Sequence, residues 1–341
     1  MTTQLRPLSL AEILDRIAEL YRGHFVLFAG IAAPISAAML LVQMLHLGAL
    51  NALGYPRMEP GMLWASGVAG VVEGFLILLI GGVAIAANNR AVAWVHLGEP
   101  ASIGGAYRSI VPRLRRICWL MSVVFLRAWL PLSLLYVAMM GLTFSMLPAG
   151  IFTHPGAHVA PMEPTQAFHF LAGVLVLLPL LFAATFYGVL MSLRYSLAMP
   201  ACVVEGLTAG QALKRSVQLS KESRGRIFVL WLLVFAIKFG IGLLLSLPVM
   251  VFTVQHLGQP LPLFWMVVSQ IGGFLVNLFI GPIWATGLTL FYYDQRVRKE
   301  GFDIVWMMQA AGLEAPAAES AAAAPTAHSE AAAAPETLGE P

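Results

Sequence analysis

Charge is what this chain has least of. Only 11% of its 341 residues are Asp, Glu, Lys or Arg, where a water-soluble domain of this size carries about 25%. That deficit, with 59% hydrophobic residues and a mean hydropathy of +0.80, excludes an ordinary soluble enzyme or a nucleic-acid-binding domain. Cysteine is nearly absent too. Cys118 and Cys202 stand far apart, in or beside apolar runs, so they form neither a disulfide framework nor a metal spacing and read as small buried thiols. The motifs of common chemistry are missing: no H-E-x-x-H, no Walker loop, no G-x-S-x-G and no kinase set. No nucleophile and base can be paired, so the reading is non-enzymatic, with no cofactor and no metal expected. A signal peptide is not expected either, because the first 24 residues hold Glu12, Asp15 and Glu19 and no small-residue cleavage pattern.

What the chain does have is long, continuous apolar runs. Their length favours helices over the dyad-alternating strands of an outer-membrane barrel. Six spans are expected, at 25–46, 62–87, about 117–147, 168–193, 227–252 and 263–292. Pro34 falls within the first and Pro282 within the sixth, and Pro131 kinks or breaks the third. In the second, Ser66, Gly70 and Gly74 recur every four residues, a spacing that lets another backbone approach closely.

Between the runs lie short polar, basic helices. Ser9 and Glu12, and Thr208 and Gln211, stand in capping-box spacing, and Ser102 opens a third such segment. Residues 8–23 are amphipathic, with Leu10, Ile13, Leu14, Ile17 and Tyr21 on one face. Thr208–Arg226 carries Leu213 and Val217 on one face and Lys214, Arg215, Gln218 and Lys221 on the others. These segments either lie in the membrane interface, the favoured reading, or cap the bundle.

The fold class read from this pattern is all-α: a polytopic helical membrane protein with about six transmembrane helices arranged as three hairpins, each preceded by a short amphipathic interfacial helix. One helical membrane domain covers 1–311, with a possible three-fold parallel repeat whose units start near 8, 101 and 207. Residues 312–341 hold 12 Ala, 4 Pro and 5 Glu without Lys or Arg, the composition of a disordered acidic tail.

Orientation follows from the cations. All 20 Lys and Arg except Arg57, Arg127 and Lys238 lie in segments that share one side if there are six spans. The positive-inside rule then predicts both termini in the cytoplasm. Because the charges are needed for orientation, the net charge of +3 does not call for nucleic acid.

At this point residues carry a resemblance. LRPLSLAEILDRIAELYRGHF, RYSLAMPACVVEGLTAGQALKRSVQLSKESRGRIFVLWLL and LTLFYYDQRVRKEGFDIVWM resemble, in order, the opening, middle and final blocks of bacterial proteins bearing the glycerophosphoryl diester phosphodiesterase membrane domain. The likeness covers about residues 5–308. It implies a bacterial inner-membrane location. It does not imply phosphodiesterase activity, because no catalytic phosphodiesterase domain accompanies these blocks.

Two sets of residues are candidates for function. Glu73, Arg127 and Lys238 lie inside spans two, three and five, where each charge costs about 2.5–3.5 kcal/mol at a helix centre. Either they share a polar cavity for an anionic headgroup or solute, as a small transporter or lipid-handling protein would need, or they form a structural pair or snorkel to the interface. Gln270 and Asn277 read as interhelical hydrogen-bonding groups. The second set is the basic connectors: Arg113, Arg115, Arg116, Lys214, Arg215, Lys221, Arg224 and Arg226. They would contact anionic membrane lipids at about 1 kcal/mol per cation, as in a membrane-organising or accessory protein with a possible membrane-protein partner. His154, His158, Glu163 and His169 do not read as a metal site, because Pro155 and Gly156 break the helix that their spacing would require.

Overall fold

The computed structural model describes residues 6–52, 60–146, 163–256 and 261–310. Arg57, His154, His158 and the Ala/Pro/Glu tail lie outside the described residues. Among the described residues every regular element is helical. Six helices are long and apolar enough to cross a membrane, and the protein is an integral, multi-pass membrane protein.

The first hairpin is α2 (Phe25–Ala52) and α3 (Pro60–His96), entered through α1 (Leu10–Gly23). The second is entered through α4 (Ile103–Ile110) and a single 3-10 turn, Val111–Arg113. It rises through α5 (Leu114–Val124), a π turn at Phe125–Trp129 and α6 (Leu130–Met146), and returns through α7 (Pro164–Tyr195). Two short helices follow, α8 (Ala198–Val204) and α9 (Ala209–Ser220). The third hairpin is α10 (Arg224–Gln255) and α11 (Leu263–Glu300), and α12 (Phe302–Ala310) ends the described chain.

The expected caps form. Ser9 Oγ accepts from Glu12 N while a Glu12 carboxylate oxygen accepts from Ser9 N at 2.7 Å. Ser102 Oγ accepts from Gly105 N at 3.1 Å. Gln211 Oε1 accepts from Thr208 N at 3.1 Å and from its hydroxyl at 2.8 Å.

The three entry helices dock in one cyclic sense. α1 packs on α11, α4 on α3, and α9 on α7, in each case the last helix of the preceding hairpin. The first helix of each hairpin leans the same way: α2 packs on α11, α5 on α3 and α10 on α7. The seam between α7 and α10 is the thinnest of the three. The apolar faces of the entry helices are covered by these helix ends. Ile13, Ile17 and Leu20 of α1, Ala106 and Ile110 of α4, and Ala212, Leu213 and Leu219 of α9 are all buried. Together with α8 they form a platform at one end of the bundle, and the buried core is concentrated there. Towards the other end, side chains such as Leu175, Phe182 and Phe264 are exposed, as lipid-facing residues are.

Two of the prolines inside the spans, Pro34 and Pro282, have a platform tyrosine donating to a carbonyl in the turn before them. A proline has no N–H and opens the helical turn before it. The Tyr107 hydroxyl of α4 donates to Ile31 O, three residues before Pro34. The Tyr21 hydroxyl of α1 donates to Phe279 O at 2.7 Å, three residues before Pro282. At Pro131, where a kink or break is expected, the regular α-helix is interrupted by the π turn just before the proline. The helix continues through the π turn, where Leu130 N bonds back to Phe125 O. This widened turn is met by Gly188 of α7, where a Cβ would stand 3.0 Å from Ala128 O.

The small-residue stripe on α3 behaves otherwise. A Cβ on Gly70 or Gly74 would meet nothing within 4 Å, so no backbone comes close there. These glycines line an apolar groove of about 460 Å³ shared with Phe125, Trp129 and Tyr136.

Glu12 ties the α1 cap to pH. The Ser9 backbone N–H, then the Ser9 hydroxyl and Arg6, hold its carboxyl at about 2, below the ordinary 4.5. A depressed carboxylate supports the fold above its unfolded value and loses that support as pH falls through the folded value. The protection of the α1 amides, measured against the intrinsic exchange rate at each pH, should therefore fall between pH 4.5 and about 2. Glu12→Gln should flatten that dependence, and an unchanged profile in the variant would contradict the role of the cap.

Candidate lipid-contact site

The platform is held by two polar clusters. At the first, the Asp294 side chain of α11 is 0% exposed. It accepts from Leu8 N at 2.8 Å, Arg226 Nη1 at 3.0 Å, Arg298 Nε at 3.0 Å and Gln295 Nε2 at 3.1 Å. The two arginines also donate to Leu8 O, at 2.6 and 2.7 Å. The segment preceding α1 is thus clamped to the platform ends of α10 and α11.

At the second, Glu205, just after α8, accepts from Arg215 Nε at 3.1 Å and from the Tyr292 hydroxyl at 2.5 Å. Arg215 Nη2 donates to Glu300 at 2.7 Å, and Arg296 Nε also reaches Glu300, at 3.2 Å. The Glu300 hydrogen bond, and after it the charge of Glu205, raise the Arg215 guanidinium above its ordinary value, so it stays charged. Lys299 Nζ donates to Gln218 O at 3.1 Å and Leu219 O at 3.3 Å, covering the C-terminal carbonyls of α9. Ser216 Oγ donates to Arg194 O at 2.9 Å and accepts from Leu197 N at 3.1 Å, seating α9 in the break between α7 and α8.

These bonds divide the connector cations. Arg215 and Arg226 are held in ion pairs. Arg113 Nη1 donates to Val203 O at 2.7 Å, and Arg116 Nη1 to Gly206 O at 3.0 Å, satisfying carbonyls at the end of α8 and in the loop beyond it. Arg224 is half-buried. Arg115, Arg116, Lys214 and Lys221 have exposed side chains.

Arg115 and Arg116 flank a cleft of about 720 Å³ whose other lining residues are Cys118, Trp119, Ser122, Thr208 and Ala209. Trp119 is 62% exposed, and tryptophan is a residue enriched at membrane–water interfaces. The N-terminus of α9 opens onto the cleft at Thr208 and Ala209, adding the positive end of a helix dipole. Arginine forks suit phosphate oxygens. Among the described residues that line the cleft there is no Asp or Glu.

The three intramembrane charges do not meet. Glu73 pairs with His46 of α2 at 3.2 Å, towards the end away from the platform. Arg127 sits in the π turn with an exposed side chain. Lys238 Nζ of α10 donates to Asn277 Oδ1 of α11 at 3.2 Å, so Asn277 does bridge helices. Among the described residues no group of three or more metal-ligating side chains gathers.

Sequence reasoning missed Asp294, Glu205 and Tyr292. Asp294 has a visible signal: it is an acid at the boundary of an apolar run, four residues before Arg298. Glu205 has none, since its partners lie ten or more residues away. No family model, no curated protein and no solved structure matches this chain.

Arg215→Leu removes the cation shared by Glu205 and Glu300, leaving Glu205 with the Tyr292 hydroxyl and Glu300 with Arg296. Thermal unfolding in detergent should show a loss of about 2 kcal/mol or more. Lys214→Ala, one residue away but exposed, should stay within about 0.5 kcal/mol. Equal effects from the two variants would contradict this division of the cations.

Proposed function

We propose that this protein is a non-enzymatic membrane component that holds anionic lipid headgroups at its platform. It would reside in a bacterial inner membrane with both termini in the cytoplasm, where anionic lipids and the positive-inside rule place a basic platform. The observation that carries the reading is the Arg115–Arg116 cleft, where two exposed guanidiniums, a helix N-terminus and an exposed tryptophan adjoin a lining free of carboxylates. The division of the cations supports it. Arg113, Arg215 and Arg226 already have work inside the fold, whereas at the cleft Arg115 is exposed and Arg116 keeps an exposed face beside its single bond to Gly206 O. The likeness to the glycerophosphoryl diester phosphodiesterase membrane domain is in keeping with a membrane role without catalysis.

The test is native mass spectrometry of the full chain extracted with its lipids. Arg115→Gln/Arg116→Gln should lower retained phosphatidylglycerol and cardiolipin about tenfold or more. Lys214→Gln/Lys221→Gln removes the same charge from exposed positions that do not line the cleft, where solvent screening weakens a distant charge, and should leave retention within about twofold. Equal losses from the two double variants would reduce the cleft to general electrostatics and overturn the proposal.

A further inference from the structure

A second cavity, of about 320 Å³, lies between α2, α3, α10 and α11. It is independent of the Arg115–Arg116 cleft and shares none of its residues. Its walls are largely apolar, with Ile35, Met39, Val234 and Phe235 prominent, and Trp231 and Trp284 also line it. Lys238 is the one cation among its described lining residues. Its hydrogen-bond partner is the neutral amide of Asn277, and no Asp or Glu lines the cavity with it.

A lysine held in low-dielectric surroundings without a carboxylate is an expensive arrangement. Glu73, the acid found in the adjoining span, is taken by His46. What the cavity lacks is an anion.

We infer that this cavity takes a long-chain carboxylic acid, its carboxylate against Lys238 Nζ and its chain along the apolar wall. Three features select that class. Lys238 lies 12 residues beyond Arg226, about 18 Å along the helix at 1.5 Å per residue, so the ligand must carry its acid group well below the platform surface. A carboxylic acid can cross hydrocarbon as the neutral O–H form, give its proton to water and pair with the ammonium as carboxylate. A phosphodiester stays ionised and would have to carry its charge throughout. Finally, the cavity stands at the small end of the range for ligand pockets, about 300–1,000 Å³. It suits one slender chain with a compact head better than a glycerophosphate carrying two chains.

The experiment is equilibrium binding of radiolabelled hexadecanoate to the full chain in phosphatidylcholine nanodiscs. Saturable binding near one per chain is expected, and hexadecanol, which has the chain without the acid, should compete at least about tenfold less well. Lys238→Met should weaken binding about tenfold or more. Ala84→Trp fills the cavity and leaves the lysine in place, so it should weaken binding as much and covers the case in which Lys238→Met fails to fold. Arg115→Gln/Arg116→Gln should bind hexadecanoate as the parent does, which keeps this site separate from the headgroup cleft. Equal competition by hexadecanol, or binding unchanged in Ala84→Trp, would overturn the inference. Displacement of hexadecanoate by phosphatidylglycerol would also overturn it, by making a phospholipid headgroup the occupant.

Discussion

The buried carboxylate of Asp294 holds the platform closed. Its side chain is fully covered, and it receives two guanidinium groups, a backbone N–H and a glutamine amide. A carboxylate out of water is tolerable only when its lone pairs are met in this way, and removing one partner of such a cluster costs about 3–5 kcal/mol. The contacts join positions far apart in sequence: the strap before α1, the start of α10 and the end of α11. Without them the first entry helix would keep its apolar contact with α11 but lose its polar anchor. The strap before α1 would then be released from the platform ends of α10 and α11.

The same end of the molecule shows why its basic residues cannot be read as one class. Orientation, folding and ligand contact compete for the same cations. Arg226 and Arg298 serve Asp294, Arg215 serves two carboxylates, Lys299 covers the end of α9, and Arg113 satisfies a carbonyl of α8. The cations facing outward remain for lipid. In hydrocarbon the hydrophobic effect gives helices no reason to prefer one another to lipid. Specific polar locks at the water boundary therefore have a larger part in fixing which hairpin neighbours which. The tyrosines of α1 and α4 add to this. Each donates to a carbonyl in the helix turn before a proline, so each entry helix is tied to a span it packs against by a hydrogen bond as well as by apolar contact.

The architecture was legible from local pattern. Apolar run length located six spans, and the caps at Ser9, Ser102 and Thr208 located the helices before each hairpin, because both signals act over a few residues. What was not legible depends on distance in space. α8 is a short apolar helix buried on nearly every residue and merges in sequence with the run before it. The π turn before Pro131 leaves no compositional mark. Gly70 and Gly74 have the spacing of a tight helix seam but line a groove, because small residues permit approach without supplying a partner. Glu73 and Lys238 looked alike as buried charges, yet one has a histidine partner on its own hairpin and the other faces a cavity with only an amide. Asp294 was overlooked because acids at span ends are common, and only its four partners set it apart.

The central claim is that Asp294 pins the strap before α1 to the platform ends of α10 and α11. Hydrogen-exchange mass spectrometry of the chain in nanodiscs, comparing the parent with Asp294→Asn, tests it directly. Loss of about 3 kcal/mol of local protection corresponds to about a hundredfold faster exchange. The account predicts that acceleration in α1, residues 10–23, with α4 unchanged. Equal protection of α1 in the two proteins would contradict it.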